Sequence, residues 1–240
     1  MSTLVQSVDA PDKESTYNYE RFNSGDYDLE TFSGPAAGEE AIDFEATALD
    51  GKPVKLSDFQ GKVIVLETGS ITCPQYVSNI PAMNQLAEKY PDIVSLVLYV
   101  REAHPGSKTP AHRTLDEKTF WAYRATEEDG EGRLVLVDPL DGKGHLAYGS
   151  LPDMTYVINP EGVVAFRGRW ADPKAVEKVI ERVRNGEQMV TDVKAKFSPG
   201  RPGPAMRAIW RGGWHAMLDV ALMMPNLAYQ HLKVGLYSDG

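Results

Sequence analysis

Residues 62–100, KVIVLETGSITCPQYVSNIPAMNQLAEKYPDIVSLVLYV, decide the fold. Lys62–Glu67 and Ile93–Val100 are largely apolar runs of strand length, which is typical of strands that are covered on both faces. Between them, Pro74–Tyr90 places its apolar residues at spacings of three and four, so this segment is predicted to be an amphipathic helix. The strand, helix and strand predict a right-handed crossover between two parallel strands at the centre of a sheet.

The flanking sequence continues the alternation of strands and helices. A capping box, Thr114–Glu117, predicts the start of a second helix that leads to a strand at Leu134–Val137. Met154–Ile158 and Val163–Phe166 predict an antiparallel hairpin, because the four residues between them favour a tight turn. A last helix is predicted over residues 172–185. Together these elements indicate an α/β domain.

The chain is predicted to have three parts. Residues 1–40 are acidic and carry little apolar periodicity, which indicates a tail or a loosely packed arm. Residues 41–190 hold the α/β domain. Residues 191–240 comprise a linker, marked by the breaker-rich stretch Ser198–Pro204, and a helical extension that Pro225 is expected to kink or end. The extension carries two Trp and four Met residues. We expect it to pack on the core, with a lid or a homodimer contact as the alternative.

Charge and cysteine content restrict the class of protein. The chain has 34 acidic and 25 basic residues, a formal net charge of -9, which disfavours nonspecific binding to nucleic acid or to anionic membranes. Its single cysteine excludes an intramolecular disulfide, so we expect a reducing, cytoplasmic location, and the amino terminus shows no secretory signal. Ala216–Ala228 is the most apolar late stretch, but Asp219 and Pro225 interrupt it, so no membrane-spanning helix is predicted.

Cys73 lies between the first central strand and its helix, in the stretch Thr68–Pro74. A thiol there faces the unpaired N–H groups and the positive end of the helix dipole, which predicts a lowered thiol pKa and a nucleophilic thiolate. Tyr76 stands where a dithiol protein would have its second cysteine, so an oxidised Cys73 has to be reduced by an outside thiol. The alternative is that Cys73 is a buried structural thiol.

Two features resemble the redoxin superfamily, which includes thioredoxins and peroxiredoxins. The segment Asp50–Lys62 looks like the opening hairpin and turn of that superfamily. Pro81, eight residues after Cys73, is similar to the helix-kinking proline of thioredoxins. The resemblance implies a thioredoxin-like α/β fold with a central mixed β-sheet flanked by helices, followed by the C-terminal helical extension.

Three motifs together point to one family. They are Gly69–Pro74, Tyr99–Pro105, and Ala147–Pro152 leading into Tyr156–Ile158. The first resembles the active-site motif Gly-Ser-x-Thr-Sec-Pro of the iodothyronine deiodinases, with cysteine in place of selenocysteine. The second resembles that family's Tyr-Ile-x-Glu-Ala-His segment at the end of the next core strand, and the third looks like the family's approach to its hairpin. The resemblance covers roughly residues 41–185.

This resemblance implies a site built from Cys73, Thr72, Glu102 and His104. Cys73 would be the nucleophile that attacks iodine or another electrophilic atom of a small-molecule substrate, and Glu102 and His104 would help to bind and protonate it. Thr72 would orient the thiolate or cap the helix. An external thiol of the thioredoxin or glutathione type would be the reductant. Neither a cofactor nor a metal is expected, since the other histidines have no ligand spacing with Cys73.

Three functional hypotheses stay open from the sequence. The first is a deiodinase-like reductive dehalogenase, a thiol oxidoreductase that acts on an iodinated phenol. The second is a one-cysteine, peroxiredoxin-like peroxide reductase, although Leu66 and Ser70 stand where the peroxiredoxin motif Pro-x-x-x-Thr-x-x-Cys has its Pro and Thr. The third is a non-catalytic thioredoxin-fold binding module in which Cys73 is inert.

Overall fold

The computed structural model of the protein describes residues 17–27, 29, 31–197 and 200–237. Within them the strands are β1 (Glu45–Ala48), β2 (Pro53–Lys55), β3 (Ile64–Gly69), β4 (Val94–Tyr99), β5 (Leu134–Val137), β6 (Thr155–Ile158) and β7 (Val164–Gly168). The α-helices are α1 (Pro74–Lys89), α2 (Leu115–Asp129), α3 (Lys143–Ala147), α4 (Pro173–Arg184), α5 (Pro202–Gly212) and α6 (Trp214–Tyr237).

The strands form one mixed sheet in the order β2-β1-β5-β4-β3-β6-β7. β3 and β5 each run parallel to β4, whereas the remaining pairs are antiparallel. β3 and β4 lie inside the sheet, where both faces of a strand are covered, and this explains their continuous apolar runs. The predicted crossover, the predicted hairpin of β6 and β7, and the predicted α/β fold class with a central mixed sheet are confirmed.

The two faces of the sheet are covered by different parts of the chain. One face packs against α1, α2 and α4, through residues such as Met83, Ala122 and Val179. The other face packs against the amino-terminal segment and α6, through residues such as Phe22 and Val220. The sheet is therefore enclosed by residues from both ends of the chain.

Helix α1 begins at Pro74, with Cys73 as its N-cap residue. Pro74 suits this position because its missing N–H would have had no intrahelical partner. Tyr76, Ile80 and Met83 lie on the buried face of the helix, which fixes its rotation on the sheet. Cys73 is thereby held at the carboxyl end of β3, where the strand meets the helix.

The amino-terminal arm differs from its prediction where the structure describes it. Tyr17 and Phe22 are only 2% and 3% exposed, and Leu29 is also buried. A loosely packed arm is the wrong description of residues 17–27 and 29, because these aromatic and aliphatic side chains bury enough apolar surface to order the backbone. Residues 1–16 of the predicted arm lie outside the described residues.

The extension is helical, as predicted, but its boundaries differ. Helix α5 begins at Pro202, inside the stretch predicted to be a linker, because Pro is well suited to a first helical turn. Gly213, with φ +87°, separates α5 from α6. Pro225 does not end α6, which continues to Tyr237. In the described part of the chain, no helix has the length and apolar character needed to cross a bilayer.

Candidate active site

The four predicted site residues follow two neighbouring strands. Thr72 and Cys73 come after β3, and Glu102 and His104 come after β4. Since β3 and β4 are parallel, their carboxyl ends meet at the same edge of the sheet. The topology therefore brings the two segments together, as the sequence predicts.

Thr72 connects the two segments through hydrogen bonds. Its hydroxyl donates to Glu102 Oε2 at 2.5 Å and accepts from the backbone N–H of His104 at 3.1 Å. Its backbone N–H also donates to Glu102 Oε2, at 3.2 Å. Among the described residues, no hydrogen bond joins the Thr72 hydroxyl to the Cys73 sulfur, and the N-cap of α1 is Cys73 itself. In the structure the Thr72 hydroxyl therefore contacts Glu102 and the His104 backbone rather than the Cys73 sulfur.

Glu102 has two further partners that the sequence analysis missed. The Tyr99 hydroxyl donates to Glu102 Oε1 at 2.5 Å, and His112 Nε2 lies 3.1 Å from the same oxygen. Tyr99 begins the sequence motif that contains Glu102, so the motif could have indicated Tyr99 as a partner of this carboxylate. His112 lies in an irregular loop, and no sequence pattern links it to Glu102.

The Glu102 carboxyl is buried yet ionised at neutral pH. Burial alone raises its pKa, but the contacts with His112, Thr72 and Tyr99 outweigh burial and hold the pKa below the ordinary glutamate value. A buried carboxylate that is surrounded by donors can accept a proton from one neighbour and pass it to another. Glu102 is therefore a buried, ionised acceptor at this edge of the sheet.

Cys73 departs from its predicted state. The residue is 2% exposed, and burial raises the pKa of its thiol well above the ordinary value, with the Asp153 and Glu67 carboxylates acting in the same direction. The backbone N–H groups of Tyr76 and Gln75, at the start of α1, lower the pKa of the thiol but do not offset burial. The prediction of a lowered pKa is wrong for this conformation, in which Cys73 is a neutral thiol at pH 7.

A buried ion cluster holds one of the carboxylates that act on Cys73. The Arg133 guanidinium pairs with Glu67 through a short contact and with Glu131 at 2.6 Å, and the Tyr76 hydroxyl donates to Glu131 at 3.0 Å. The side chains of all three charged residues are fully buried. Burial of these charges requires the pairing, because an isolated buried charge is strongly unfavourable. The cluster therefore holds the Glu67 carboxyl near the thiol, and burial raises the pKa of this carboxyl even though Arg133 lowers it.

His104 is neutral in this structure. Its imidazole packs edge-on against Phe22, with 4.4 Å between ring centroids, and its Nδ1 is buried without a hydrogen-bond partner among the described residues. Burial lowers the pKa of His104 to about 4, and the Glu102 and Asp219 carboxylates offset only part of this effect. At pH 7 the ring therefore lacks the extra proton that a positively charged general acid needs.

This pKa makes stability depend on pH in a way that a variant can test. Unfolded His104 takes up a proton near pH ~6.5, whereas folded His104 does so near pH 4. The contribution of neutral His104 to the free energy of unfolding is thus complete above the pKa of the unfolded state, and it is lost as the pH falls toward 4. Between pH 7 and pH 5 the free energy of unfolding should drop by about 2 kcal/mol more in the wild type than in His104→Gln. Equal losses in urea unfolding curves of the two proteins would contradict this assignment.

Residues 17–27, α5 and α6 together cover this edge of the sheet, and we call them the cap. The Tyr19 and Tyr27 hydroxyls donate to the backbone carbonyl of Ala103, at 3.0 Å and 3.3 Å. Arg21 donates to both carboxylate oxygens of Asp219 on α6, with one distance of 2.6 Å and one shorter contact. The two ends of the chain are therefore joined to each other and to the loop that carries Glu102 and His104.

Helix α5 closes the cap from the side of α1. The Arg211 guanidinium pairs with Asp129 and donates to the Ile71 carbonyl at 3.4 Å. Ala208 lies in the same buried cluster as Cys73. The buried cluster around Cys73 thus combines neighbours such as Ile71 and Tyr76 with a residue more than 130 positions away in the sequence.

A cavity of about 280 Å³ lies at the opposite edge of the sheet. It is lined by Ile64, which begins β3, and by Ile158, which ends the antiparallel β6. None of the four predicted site residues lines it. The cavity is therefore separate from the candidate site.

Comparison with known proteins identifies relatives of the chain. The iodothyronine deiodinase family model matches residues 13–184. The thyroxine 5-deiodinase of Gallus gallus is 30% identical over 154 residues, which cover 59% of each protein. The thyroxine 5-deiodinase of Sparus aurata is 29% identical over 136 residues, which cover 51% of each protein. The chain spans about half the length of these curated relatives.

Two solved structures support the fold. A putative thiol:disulfide interchange protein DsbE from Chlorobium tepidum is 26% identical, with a TM-score of 0.51, and the match covers 62% of this chain and 99% of that chain. An uncharacterized conserved protein from Geobacillus kaustophilus, 16% identical, has a TM-score of 0.56 over 72% of this chain and 96% of that chain. The predicted thioredoxin-like fold is confirmed.

Proposed function

Because the chain belongs to the iodothyronine deiodinase family, we propose that it is a thiol-dependent oxidoreductase in which Cys73 removes iodine from an iodinated phenol. One structural observation carries the proposal. The hydroxyl of Thr72, the residue before Cys73, donates to the buried carboxylate of Glu102 at 2.5 Å. The nucleophilic sulfur and a carboxylate that can transfer protons therefore lie in the same site.

The proposed first step transfers iodine from carbon to sulfur. The Cys73 thiolate forms a bond to iodine while the carbon–iodine bond breaks, and the electron pair of that bond stays on the ring carbon. The carbon is reduced and takes a proton, and the sulfur is oxidised to a sulfenyl iodide. The products are the dehalogenated phenol and an oxidised Cys73.

External thiols complete the cycle. A first thiol displaces iodide from Cys73 and forms a mixed disulfide, and a second thiol releases Cys73 and leaves as the reductant's own disulfide. Cys73 is the only cysteine of the chain, so both thiols come from outside. We propose a thioredoxin or glutathione type of donor and a cytoplasmic location, since such donors are kept reduced there.

The proposed source of the ring proton is the Glu102 constellation. Glu102 is ionised, accepts from Thr72 and Tyr99 and lies beside His112, so it can take up the proton that the Cys73 thiol loses on ionisation and pass it on through the Thr72 hydroxyl. His104, being neutral, is proposed to bind the phenol through its imidazole rather than to act as a charged acid. This modifies the prediction that both residues protonate the substrate.

Reaction also requires the cap to move. A thiol that is 2% exposed and has a raised pKa does not meet a substrate as a thiolate. We propose that the phenol enters where Phe22 now packs on His104, and that opening admits water, which removes much of the burial that disfavours the thiolate. The N–H groups at the start of α1 then favour the charged sulfur.

The Arg21–Asp219 ion pair provides a test of cap opening. Arg21→Ala removes the contact between the amino-terminal segment and α6, so Cys73 should be alkylated by iodoacetamide roughly three to ten times faster at pH 8. Arg184→Ala is the matched control, because it removes an ion pair with Asp92 that does not involve the cap. Equal alkylation rates in the two variants would contradict the proposed cap motion.

The function is tested by supplying competing substrates to the same enzyme sample. We expect iodide release from thyroxine or a diiodophenol with dithiothreitol as donor, measured by an iodide electrode. Consumption of hydrogen peroxide without iodide release would replace the proposal with the peroxide reductase. Absence of both activities, together with an inert Cys73 in the opened Arg21→Ala variant, would favour the binding module.

A further inference from the structure

Two buried carboxyl groups meet at the carboxyl end of β3. Glu67 lies on β3 and is paired in register with Thr155 on the antiparallel strand β6. Asp153 precedes Thr155 by two residues, so it lies farther along β3 in the direction of Cys73. Glu67 and Asp153 are both fully buried. Neither carboxyl group has a role in the removal of iodine proposed above.

The hydrogen bonds of these two groups require a proton between them. Glu67 Oε2 accepts from Arg133 through a short contact, and Asp153 Oδ2 accepts from the backbone N–H of Ala171 at 3.4 Å. The other oxygens, Glu67 Oε1 and Asp153 Oδ1, are buried and have no N–H or hydroxyl donor among the described residues. The two side chains are nevertheless in hydrogen-bond contact with each other. Because ionised carboxylates can only accept, this contact requires that one of the two groups is protonated.

Charge places the proton on Asp153. The Arg133 guanidinium pairs directly with Glu67 and Glu131, so its single positive charge already faces two carboxylates. Ionisation of Asp153 would put a third carboxylate beside one guanidinium in a buried site, which is strongly unfavourable. Burial and the Glu67 carboxylate accordingly raise the pKa of Asp153 well above the ordinary aspartate value, and Arg133 offsets only a small part of this.

This acid pair lies close to the Cys73 sulfur. Among the charged groups that act on the thiol, Asp153 has the largest effect and Glu67 the next largest. In the sheet β3 lies between β4 and β6, so Glu102, after β4, and Asp153, before β6, approach the site from opposite sides. Cys73 therefore has an ionised carboxylate on one side and a protonated acid on the other.

We propose that the Glu67–Asp153 pair is the proton donor that restores the Cys73 thiol when an external thiol releases it from a mixed disulfide. The proposal rests on the thiol cycle described under the proposed function. The attacking thiolate forms a bond to the outer sulfur of the mixed disulfide, the bond to Cys73 breaks, and its electron pair goes to the Cys73 sulfur. That sulfur takes the proton of Asp153, and the pair regains a proton from water. Glu102 and the acid pair thus serve different halves of the cycle.

Reduction of a preformed mixed disulfide tests this step without an iodinated substrate. Cys73 is first converted to its mixed disulfide with glutathione, and the release of glutathione by dithiothreitol is then followed. Asp153→Asn keeps the size of the side chain and offers an N–H donor to Glu67, but it cannot give up a proton. We expect the dithiothreitol thiolate to reduce this variant about 10²-fold more slowly than the wild type. Asp92→Asn is the matched control, because its carboxylate pairs with Arg184 far from the thiol.

The pH profile separates proton donation from a structural effect. The charged groups that act on Asp153 are Glu67 and Arg133, and Glu131 acts on Glu67 in turn. In the wild type, the rate constant for the dithiothreitol thiolate should fall once the pH exceeds the raised pKa of Asp153, because the pair has then lost its proton. Asp153→Asn should not show this fall.

Infrared spectra test the shared proton itself. At pH 7 the wild type should show the carbonyl band of a protonated carboxylic acid, and this band should be lost in Asp153→Asn. Circular dichroism verifies that the variant is folded, and the pH profile of the wild type tests the proposal even if it is not.

Two results would overturn the proposal. The first is a wild-type rate constant that does not fall with rising pH, or that Asp153→Asn matches at every pH. The second is the absence of the protonated-acid band from the wild type. Iodide release enters neither measurement, so a protein that fails to dehalogenate would contradict the proposed function and leave this test intact.

Discussion

Cys73→Ser is expected to lower thiol-dependent iodide release by at least about 10³-fold, to the background of the reaction without enzyme. A hydroxyl oxygen is a poor nucleophile toward iodine and cannot cycle through a sulfenyl iodide and a disulfide, so both halves of the proposed cycle are lost. Serine is close to cysteine in size, and Cys73 has no hydrogen bond to the Thr72, Glu102 or His104 side chains among the described residues. The fold should therefore survive the change.

The matched control restores a thiol elsewhere in the chain. Lys62→Cys, added to Cys73→Ser, places an exposed cysteine at the opposite edge of the sheet. This double variant should stay inactive, because activity depends on the position of the thiol and not on its presence. Iodide release by Cys73→Ser alone, at more than a few per cent of the wild-type rate, would refute the assignment of the nucleophile.

Glu102→Gln is expected to lower the rate of iodide release by about 10²- to 10⁴-fold, the range for a lost proton-transfer group. The amide keeps the size of the side chain but cannot take up a proton and pass it on to the ring carbon. It also offers an N–H group to Thr72 or Tyr99, which both donate to the carboxylate in the wild type. Part of the loss should therefore appear as a lower melting temperature.

Two measurements separate the chemical role of Glu102 from a structural one. Single-turnover rates at saturating substrate should fall in Glu102→Gln while the KM changes little, and the pH profile of the rate should flatten on its acidic side. Glu88→Gln, on the exposed face of α1, serves as control and should match the wild type. A Glu102→Gln enzyme with full activity at a temperature where it is folded would remove Glu102 from the proposed chemistry.

Much of the fold could be predicted from the sequence because local residue patterns determine the individual strands and helices. The continuous apolar runs of β3 and β4, the capping box at Thr114 and the Asp172-Pro173 start of α4 each predict an element that the structure contains. The Thr114 side chain accepts from the backbone N–H of Glu117, as such a box requires. The parallel order of β3 and β4 then placed Cys73, Glu102 and His104 at one edge of the sheet.

The protonation states could not be predicted in the same way. The helix dipole acts on Cys73 locally, and sequence reasoning detects it. Burial depends on distant parts of the chain as well, including Ala208 of α5, and this effect outweighs the dipole. Similarly, Arg133 neutralises Glu67 from 66 positions away, and His112 reaches Glu102 from an irregular loop. Such long-range contacts leave no periodic signal.

Whether Cys73 itself accepts the iodine is tested by a single-turnover experiment without any external thiol. Enzyme in excess over an iodinated phenol is quenched at intervals, and the dehalogenated product and the free Cys73 thiol are both counted. We expect one product molecule to form for each Cys73 thiol lost, with recovery of the thiol on later addition of dithiothreitol. Product formation with Cys73 still reduced, or loss of the thiol without product, would contradict it.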